Sequence, residues 1–535
     1  MTAQGEGRAV ASDKPISDTQ TSDTEASNTP PSDAPLSTPQ AEDKTSYGMS
    51  VAKGTAYAVV MRLSIRLMGL VSLSVTSRIL SPEDFGVVAT ATIALGIFTI
   101  FRETGLSEIL VRTPDLTDSK AASVWTLRLI LSIGVSLAAM ALAVPVSWLL
   151  GEPRVAPVLF YLAFVPTLEA LASPASAFLI RSFRFGKDFV LKISQKSVQV
   201  IAAITAALTI GNYWALVVAM LAGTVGDLIL SQIFHPFRYR LTLSHFGEIR
   251  GFAFWTFWRN LSINLSGRID SLVVRPLLNS SIFGLYHVAR ELTQIFVVEL
   301  VGQVQRATLP ALSRMQDDAQ RMADATARLM GLLALTAVAL SLGVVAVAHD
   351  MLVTLLGWQW ENATPFLQLL APGAAFTAIA TVNQSLFIAL DRQKLSAAFW
   401  AARAGVFAAG CAIAGYLAGP HWVAGTFSIL AMLVTLAEIH TLRRLTGAAF
   451  SLTGVFFRPV AAGGLMVWGV WSMPAFIAQS LILTLALKVA VGAAIYGSVV
   501  ILLWLATGRP QGGEATLIDY LGQILERLRQ RLGKD

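Results

Sequence analysis

Apolar runs of 18 or more residues recur along most of this 535-residue chain, separated by short polar breaks. A run of about 20 apolar residues crosses a bilayer as one helix. The pattern predicts an all-α polytopic membrane protein with about 14 transmembrane helices, at 54–77, 85–106, 123–149, 156–180, 189–210, 213–235, 252–274, 282–309, 328–348, 363–389, 396–418, 421–441, 459–477 and 481–506. Residues 1–46 break the pattern: they are rich in Ser, Thr, Pro, Asp and Ala and hold no aromatic residue. Such a segment buries too little apolar area to offset its ordering entropy, so a disordered acidic tail is expected. It has no basic segment followed by an apolar one, which argues against a cleaved signal peptide and leaves insertion to the first span. Past the last span, Leu517, Leu521, Ile524, Leu525, Leu528 and Leu532 fall at helical spacing beside Arg527, Arg529 and Arg531. That spacing describes a basic amphipathic cytoplasmic helix over 509–535, lying on the inner leaflet or packed on the cytoplasmic loops.

The apolar runs conceal a repeat. Leu80 and Phe85-Gly86 follow the first span as Leu278 and Phe283-Gly284 follow the seventh, each as Leu, four residues, Phe-Gly, 198 positions apart. A second pair matches Leu149-Leu150-Gly151, with Pro157 and Leu159 beyond it, to Leu355-Leu356-Gly357, with Pro365 and Leu367. Six spans separate equivalent positions, so two six-helix lobes enter the membrane in the same direction as a parallel internal repeat, with a cavity between them. The expected division is a tail to 46, lobes over 47–240 and 241–445, two additional transmembrane helices over 446–508, and the terminal helix.

Only 14% of the residues are charged against 54% hydrophobic, which excludes an ordinary soluble protein. The net charge of +7 divides into an acidic tail and a basic body. With the N-terminus inside, inward loops receive Arg112, Lys120, Arg181, Arg184, Lys187, Lys192, Lys196, Arg238, Arg240, Arg250, Arg314, Arg321, Arg392, Lys394, Arg443 and Arg444. Outward loops keep Arg78, Arg154 and Arg275. The positive-inside rule therefore puts both termini in the cytoplasm and explains the excess base without nucleic acid as a partner. The single cysteine, Cys411, excludes an intrachain disulfide and a cysteine zinc site, and no cofactor is indicated.

Ionisable residues inside the membrane are functional candidates by default. Arg62 and Arg66 share one face of the first span, Arg102 and Glu103 end the second, and Arg128 lies on the third. The seventh carries Arg259, Arg268 and Asp270, and the eighth Arg290, Glu291, Glu299 and Arg306. Spans one, two, seven and eight are equivalent pairs under the repeat, so this charge is expected around a common central cavity. Guanidinium groups in a low-dielectric vestibule suit a phosphate-bearing anion. Arg66, Arg268 and Arg290 are the deepest and are assigned to cavity lining. Arg62 and Arg102 read equally as snorkelling side chains, and Arg128 and Arg259 as interfacial anchors. Asp270 and Glu291 are either coupling-ion carriers or ion-pair partners of Arg268 and Arg290. Glu169, Asp227, Glu438 and Lys488 stand alone on other spans and are left as structural. His349-Asp350 marks a span end rather than a catalytic pair, and no Walker motif is present.

Ser77-Arg-Ile-Leu-Ser-Pro-Glu-Asp-Phe-Gly86, Phe101-Arg-Glu-Thr-Gly-Leu106, Val111-Arg112, Arg268-Ile-Asp270, Phe283-Gly-Leu-Tyr286, Ala289-Arg290-Glu-Leu292 and Leu309-Pro-Ala-Leu-Ser-Arg-Met-Gln316 together resemble the polysaccharide transporters, or Wzx-type oligosaccharide flippases, of the multidrug/oligosaccharidyl-lipid/polysaccharide flippase superfamily. The last segment is most similar to the colanic-acid-exporter-like subgroup. The resemblance covers about residues 48 to 445. It implies alternating access and movement of an undecaprenyl-diphosphate-linked oligosaccharide across a bacterial inner membrane, for exopolysaccharide, capsule or O-antigen assembly. It also implies membrane lipids, a polymerase and a chain-length regulator as partners, and central-cavity charge at Arg66, Arg268, Asp270 and Arg290. The runners-up are a cation-coupled multidrug exporter of the sister branch, which would present net acid in the cavity, and a membrane glycosyltransferase.

Overall fold

A computed structural model describes residues 44–102, 117–182, 184–236, 240–248, scattered positions between 251 and 264, 271–302, 319–448, 451–474, 480–508, 513–515 and 517. Nearly all of the predicted tail, most of span 252–274 before residue 271, and nearly all of the terminal amphipathic helix lie outside these residues, as do Arg268, Asp270, Arg259, Glu103 and Arg306. The described residues are helical. They form α1 (Lys44–Ile79), α2 (Pro82–Ile100), α3 (Asp118–Ala141), α4 (Ala143–Leu149), α5 (Val155–Leu162), α6 (Phe164–Leu171), α7 (Ala175–Arg181), α8 (Phe185–Ile210) and α9 (Trp214–Phe234). After these come α10 (Ser280–Thr293), α11 (Ala319–Leu356), α12 (Thr364–Ala389), α13 (Gln393–Ala418), α14 (Pro420–Thr446), α15 (Leu452–Trp471) and α16 (Leu481–Ala506). Among the described residues, 12 helical segments are long and apolar enough to cross a membrane.

Span 156–180 is three short helices in succession, α5, α6 and α7. Proline cannot donate to the helix ladder and crowds the preceding turn. Pro166 stands in the first turn of α6 and Pro174 caps α7, where Ala172 is extended. Carbonyls around this break are taken by side chains instead: Trp125 Nε1 donates to Ala170 O at 2.9 Å and Arg128 Nη2 to Glu169 O at 2.8 Å.

The Leu-x4-Phe-Gly repeat is the start of two equivalent helices. Ser81 caps α2 in a capping box with Asp84, and Asn279, its equivalent, caps α10 by accepting from Ile282 N at 2.8 Å. Five residues on, Gly86 and Gly284 bring α2 and α10 into backbone contact. A Cβ on Gly86 would run into the carbonyl of Ser280, and one on Gly284 into the carbonyl of Pro82. Ser280 stands 198 positions after Pro82, so the contact is reciprocal about a local pseudo-two-fold axis. The second repeat pair ends helices: Gly151 and Gly357 follow α4 and α11 with φ of +65° and +104°, where a side chain would be strained.

One apolar core, including Val87, Ala91, Val158, Leu162 and Val217, joins α2, α5 and α9 with their neighbours. A larger one centres on α10, α11, α12 and α14, with Tyr286, Leu333, Phe366 and Phe387 fully enclosed. Helices α15 and α16 pack on α11, where Lys488 reaches Asp350 at 2.7 Å.

Candidate functional site

The region between α1, α8 and α10 collects charge from both halves of the chain. Arg66 on α1 forms an ion pair with Glu299 and lies 3.9 Å from Glu291, both beyond the start of α10. Those glutamates are eight positions apart, which would turn them about 80° from one another on a regular helix. A π-helical turn, Gln294–Val298, lies between them and inserts one residue, which brings Glu299 back onto the Glu291 face. Arg66 lies 13 residues before the end of α1, about 20 Å along the helix axis from that end. Arg62, one turn earlier, is exposed, and Arg290 is half-buried beside Glu291.

Arg102 does not join this group. It pairs with Glu169 and donates to Pro166 O at 3.3 Å, inside the bundle formed by α2, α3 and α6. The expected set of Arg62, Arg66, Arg102, Arg268 and Arg290 is thus divided: Arg66 meets Glu291 and Glu299, Arg102 serves the proline break, and Arg268 lies outside the described residues.

Two lysines of α8 add to this charge. The inward-loop count includes Lys192 and Lys196, but both are inside α8, two and three turns from its start. Lys196 Nζ lies 3.8 Å from where a Cβ on Gly69 would stand, one turn from Arg66. It donates to Gln199 Oε1 at 2.8 Å, and Lys192 donates to Gln195 Oε1 at 3.1 Å. A cavity of about 260 Å³ is lined by Lys196, Gln199, Gly69, Thr76 and Phe85, and by His287 from α10. The readable signal was the doubled Lys-x-x-Gln of Lys192 to Gln199, which repeats on one face within an apolar run. His287 carried no such signal.

Beyond Thr76 and Phe85 of this cavity, α1 and α2 make contacts with the second half of the chain. Arg78 donates to Thr354 O at 2.7 Å, Trp360 Nε1 to Ser77 O at 2.8 Å, and the Phe85 and Trp360 rings meet edge to face at 5.1 Å. Arg275, fully enclosed, donates to Thr90 and to Leu278 O, while Ser280 donates to Glu152. Glu152 also receives Arg154 at 2.8 Å, which holds its carboxyl below the usual carboxylate range, and Arg154 reaches Glu83 at 2.6 Å.

Several other charges on the described helices have partners. Arg403 on α13, absent from the sequence candidates, lies 3.7 Å from Glu438 on α14, which also accepts from Gln384 at 3.0 Å and from Asn383. Asp227 accepts from Gln195. Asp350 is drawn to Lys488, whereas His349 faces Glu361 at 3.3 Å, so this adjacent pair does not converge.

A family model described as "Polysaccharide biosynthesis protein" matches residues 75–365, more than half of the chain. The chain is 20% identical over 396 residues to the lipopolysaccharide biosynthesis protein WzxC of Escherichia coli (strain K12), covering 72% of this chain and 79% of WzxC. It is 24% identical over 338 residues to the succinoglycan biosynthesis transport protein ExoT of Rhizobium meliloti (strain 1021), covering 62% and 67%. In fold it is similar to the lipid II flippase MurJ in an inward closed conformation, with a TM-score of 0.63, 13% identity, and coverage of 84% of this chain and 99% of MurJ. An inward-facing multidrug resistance MATE transporter superposes with a TM-score of 0.57, 12% identity, and coverage of 73% and 99%. The multi-pass helical fold and the family match agree: this chain belongs to the polysaccharide biosynthesis protein family.

Proposed function

We propose that this chain is a flippase that moves an undecaprenyl-diphosphate-linked oligosaccharide across the bacterial inner membrane during surface-polysaccharide assembly. The observation that carries the reading is the basic charge at the cavity between α1, α8 and α10, with Lys196 in its wall and Arg66 one helical turn from the lining residue Gly69. A diphosphate crossing a low-dielectric layer needs fixed cations along its path, and a soluble cationic drug would be repelled by them. The similarity to WzxC and ExoT, whose names place them in lipopolysaccharide biosynthesis and succinoglycan transport, supports the same reading.

In this account both termini are cytoplasmic, the end where Trp360, Arg275 and Glu152 join the halves is the outward one, and the cavity loads from the cytoplasmic side. The lobes, 47–240 and 241–445, rock about the Gly86–Gly284 contact, and 446–508 braces the second lobe. Arg66 exchanges its glutamate partners for the diphosphate, Arg268 and Arg290 complete the cationic wall, and Asp270 and Glu291 carry the coupling ion or hold the arginines. The product passes to a polymerase and a chain-length regulator.

Loss of one charged donor to a phosphate costs about 1.5–3 kcal/mol, or about ten- to a hundredfold in affinity. In cells whose polymer export depends on this chain, Arg66→Ala is therefore expected to abolish surface polymer and to build up the lipid-linked oligosaccharide on the cytoplasmic leaflet, at unchanged protein level. Normal polymer from that variant would overturn the reading.

A further inference from the structure

We propose that Lys192 and Lys196 are the docking pair for the diphosphate, engaging it before Arg66 does. The inference rests on the flippase reading and names a subsite within it.

The cations along this membrane domain differ in what neutralises them. Arg66, Arg102, Arg403, Arg458 and Lys488 each face a carboxylate: Glu299, Glu169, Glu438, Glu514 and Asp350. Lys192 and Lys196 instead donate to the amide oxygens of Gln195 and Gln199, and neither is within ion-pair distance of a carboxylate among the described residues, although Glu169 and Asp227 line the same cavity. A neutral amide accepts the hydrogen bond and leaves the charge intact. An intramembrane ammonium that keeps its charge is costly unless water or an anion reaches it.

Access is built in. The cavity of about 260 Å³ beside Arg66 shares Lys196 and Gln199 with a second of about 260 Å³, which also contains Lys192, Gln195 and Asp227. The second shares Lys192, Gln195 and Asp227 with a third of about 330 Å³, lined by Arg128, Ser173 and Ser176 near the proline break. The result is a polar track from α7 to the space between the lobes, with the two lysines in its middle. Asp227 accepts the Gln195 amide, which turns the Gln195 oxygen toward Lys192. Gly223 leaves room for Gln199, whose Cβ would be 3.0 Å from an added methyl. Four residues of helix separate the two lysine backbones by about 6 Å along the axis, within reach of two linked phosphates given the length of the lysine side chains. A phosphate on Lys196 then lies one turn from Arg66 and competes with Glu299 for it.

The phosphate has two possible sources, the polyprenyl diphosphate or a bilayer phospholipid headgroup, and binding separates them. The full-length protein is placed in phosphatidylcholine nanodiscs, and Kd is measured for undecaprenyl diphosphate, with phosphatidylglycerol as competitor. Lys192→Gln combined with Lys196→Gln is expected to weaken undecaprenyl diphosphate binding by about tenfold or more, while Lys192→Arg combined with Lys196→Arg stays within about threefold. Melting temperature checks folding, and Lys196→Gln alone is expected to give a smaller loss in the same direction. Binding by the unaltered protein that both Gln variants match would overturn this inference and leave the flippase reading standing. Equal displacement by phosphatidylglycerol would overturn it in favour of a general lipid-phosphate site. Absence of binding by the unaltered protein would overturn both.

Discussion

Arg403 and Glu438 sit on neighbouring helices with side chains 3% and 0% exposed, and together they illustrate how charge is tolerated inside this protein. The carboxylate is surrounded by Arg403, Gln384 and Asn383, and the guanidinium also donates to Thr435 at 2.9 Å. Removing one member of such a buried pair strands the other. Arg403→Met is therefore expected to destabilise the protein by about 3–5 kcal/mol, with most of the loss recovered when Glu438→Leu is added. Thermal unfolding in detergent checks both, and an unchanged melting temperature for Arg403→Met would contradict the pairing. At this scale the sequence is half legible. It announces that Glu169, Asp227, Glu438 and Lys488 are intramembrane charges, but their partners come from other helices that no local spacing specifies. Lys192 and Lys196 fall inside the predicted span 189–210 as well as in the count of inward bases, and α8, which begins at Phe185, contains both.

At the scale of elements, the Leu-x4-Phe-Gly repeat is the most legible feature because it encodes two local requirements at once. A capping residue starts each helix, and a glycine one turn later admits the other helix's backbone. Gly86→Ala and Gly284→Ala should act alike, each forcing α2 from α10. Each is expected to lower polymer export by about tenfold and to lower the melting temperature in detergent, since about 1.4 kcal/mol of lost packing suffices for that factor. An effect from one glycine and none from its equivalent would contradict the pseudo-two-fold contact. The breaks at Pro166 and Pro174 were visible as prolines, but their consequence was not. The chain trades ladder bonds for Arg102, Arg128 and Trp125, a choice that depends on helices far away in sequence.

For the whole molecule, hydropathy and the repeat were enough to predict a helical, duplicated membrane protein, because bilayer thickness sets helix length and each half must bury its own core. Which residues join the two halves was not legible. That depends on contacts such as Phe85 with Trp360 and Ser280 with Glu152, across 275 and 128 positions of sequence respectively. The most direct test of the account is transfer itself. Full-length protein is reconstituted into vesicles carrying an undecaprenyl-diphosphate oligosaccharide, and the lectin-accessible fraction on the outer leaflet is followed in time after the initially exposed pool is masked. The account predicts that the protected pool becomes accessible with the unaltered protein and stays protected with Arg66→Ala. Transfer no faster than in protein-free vesicles, or equal transfer by Arg66→Ala, would contradict it.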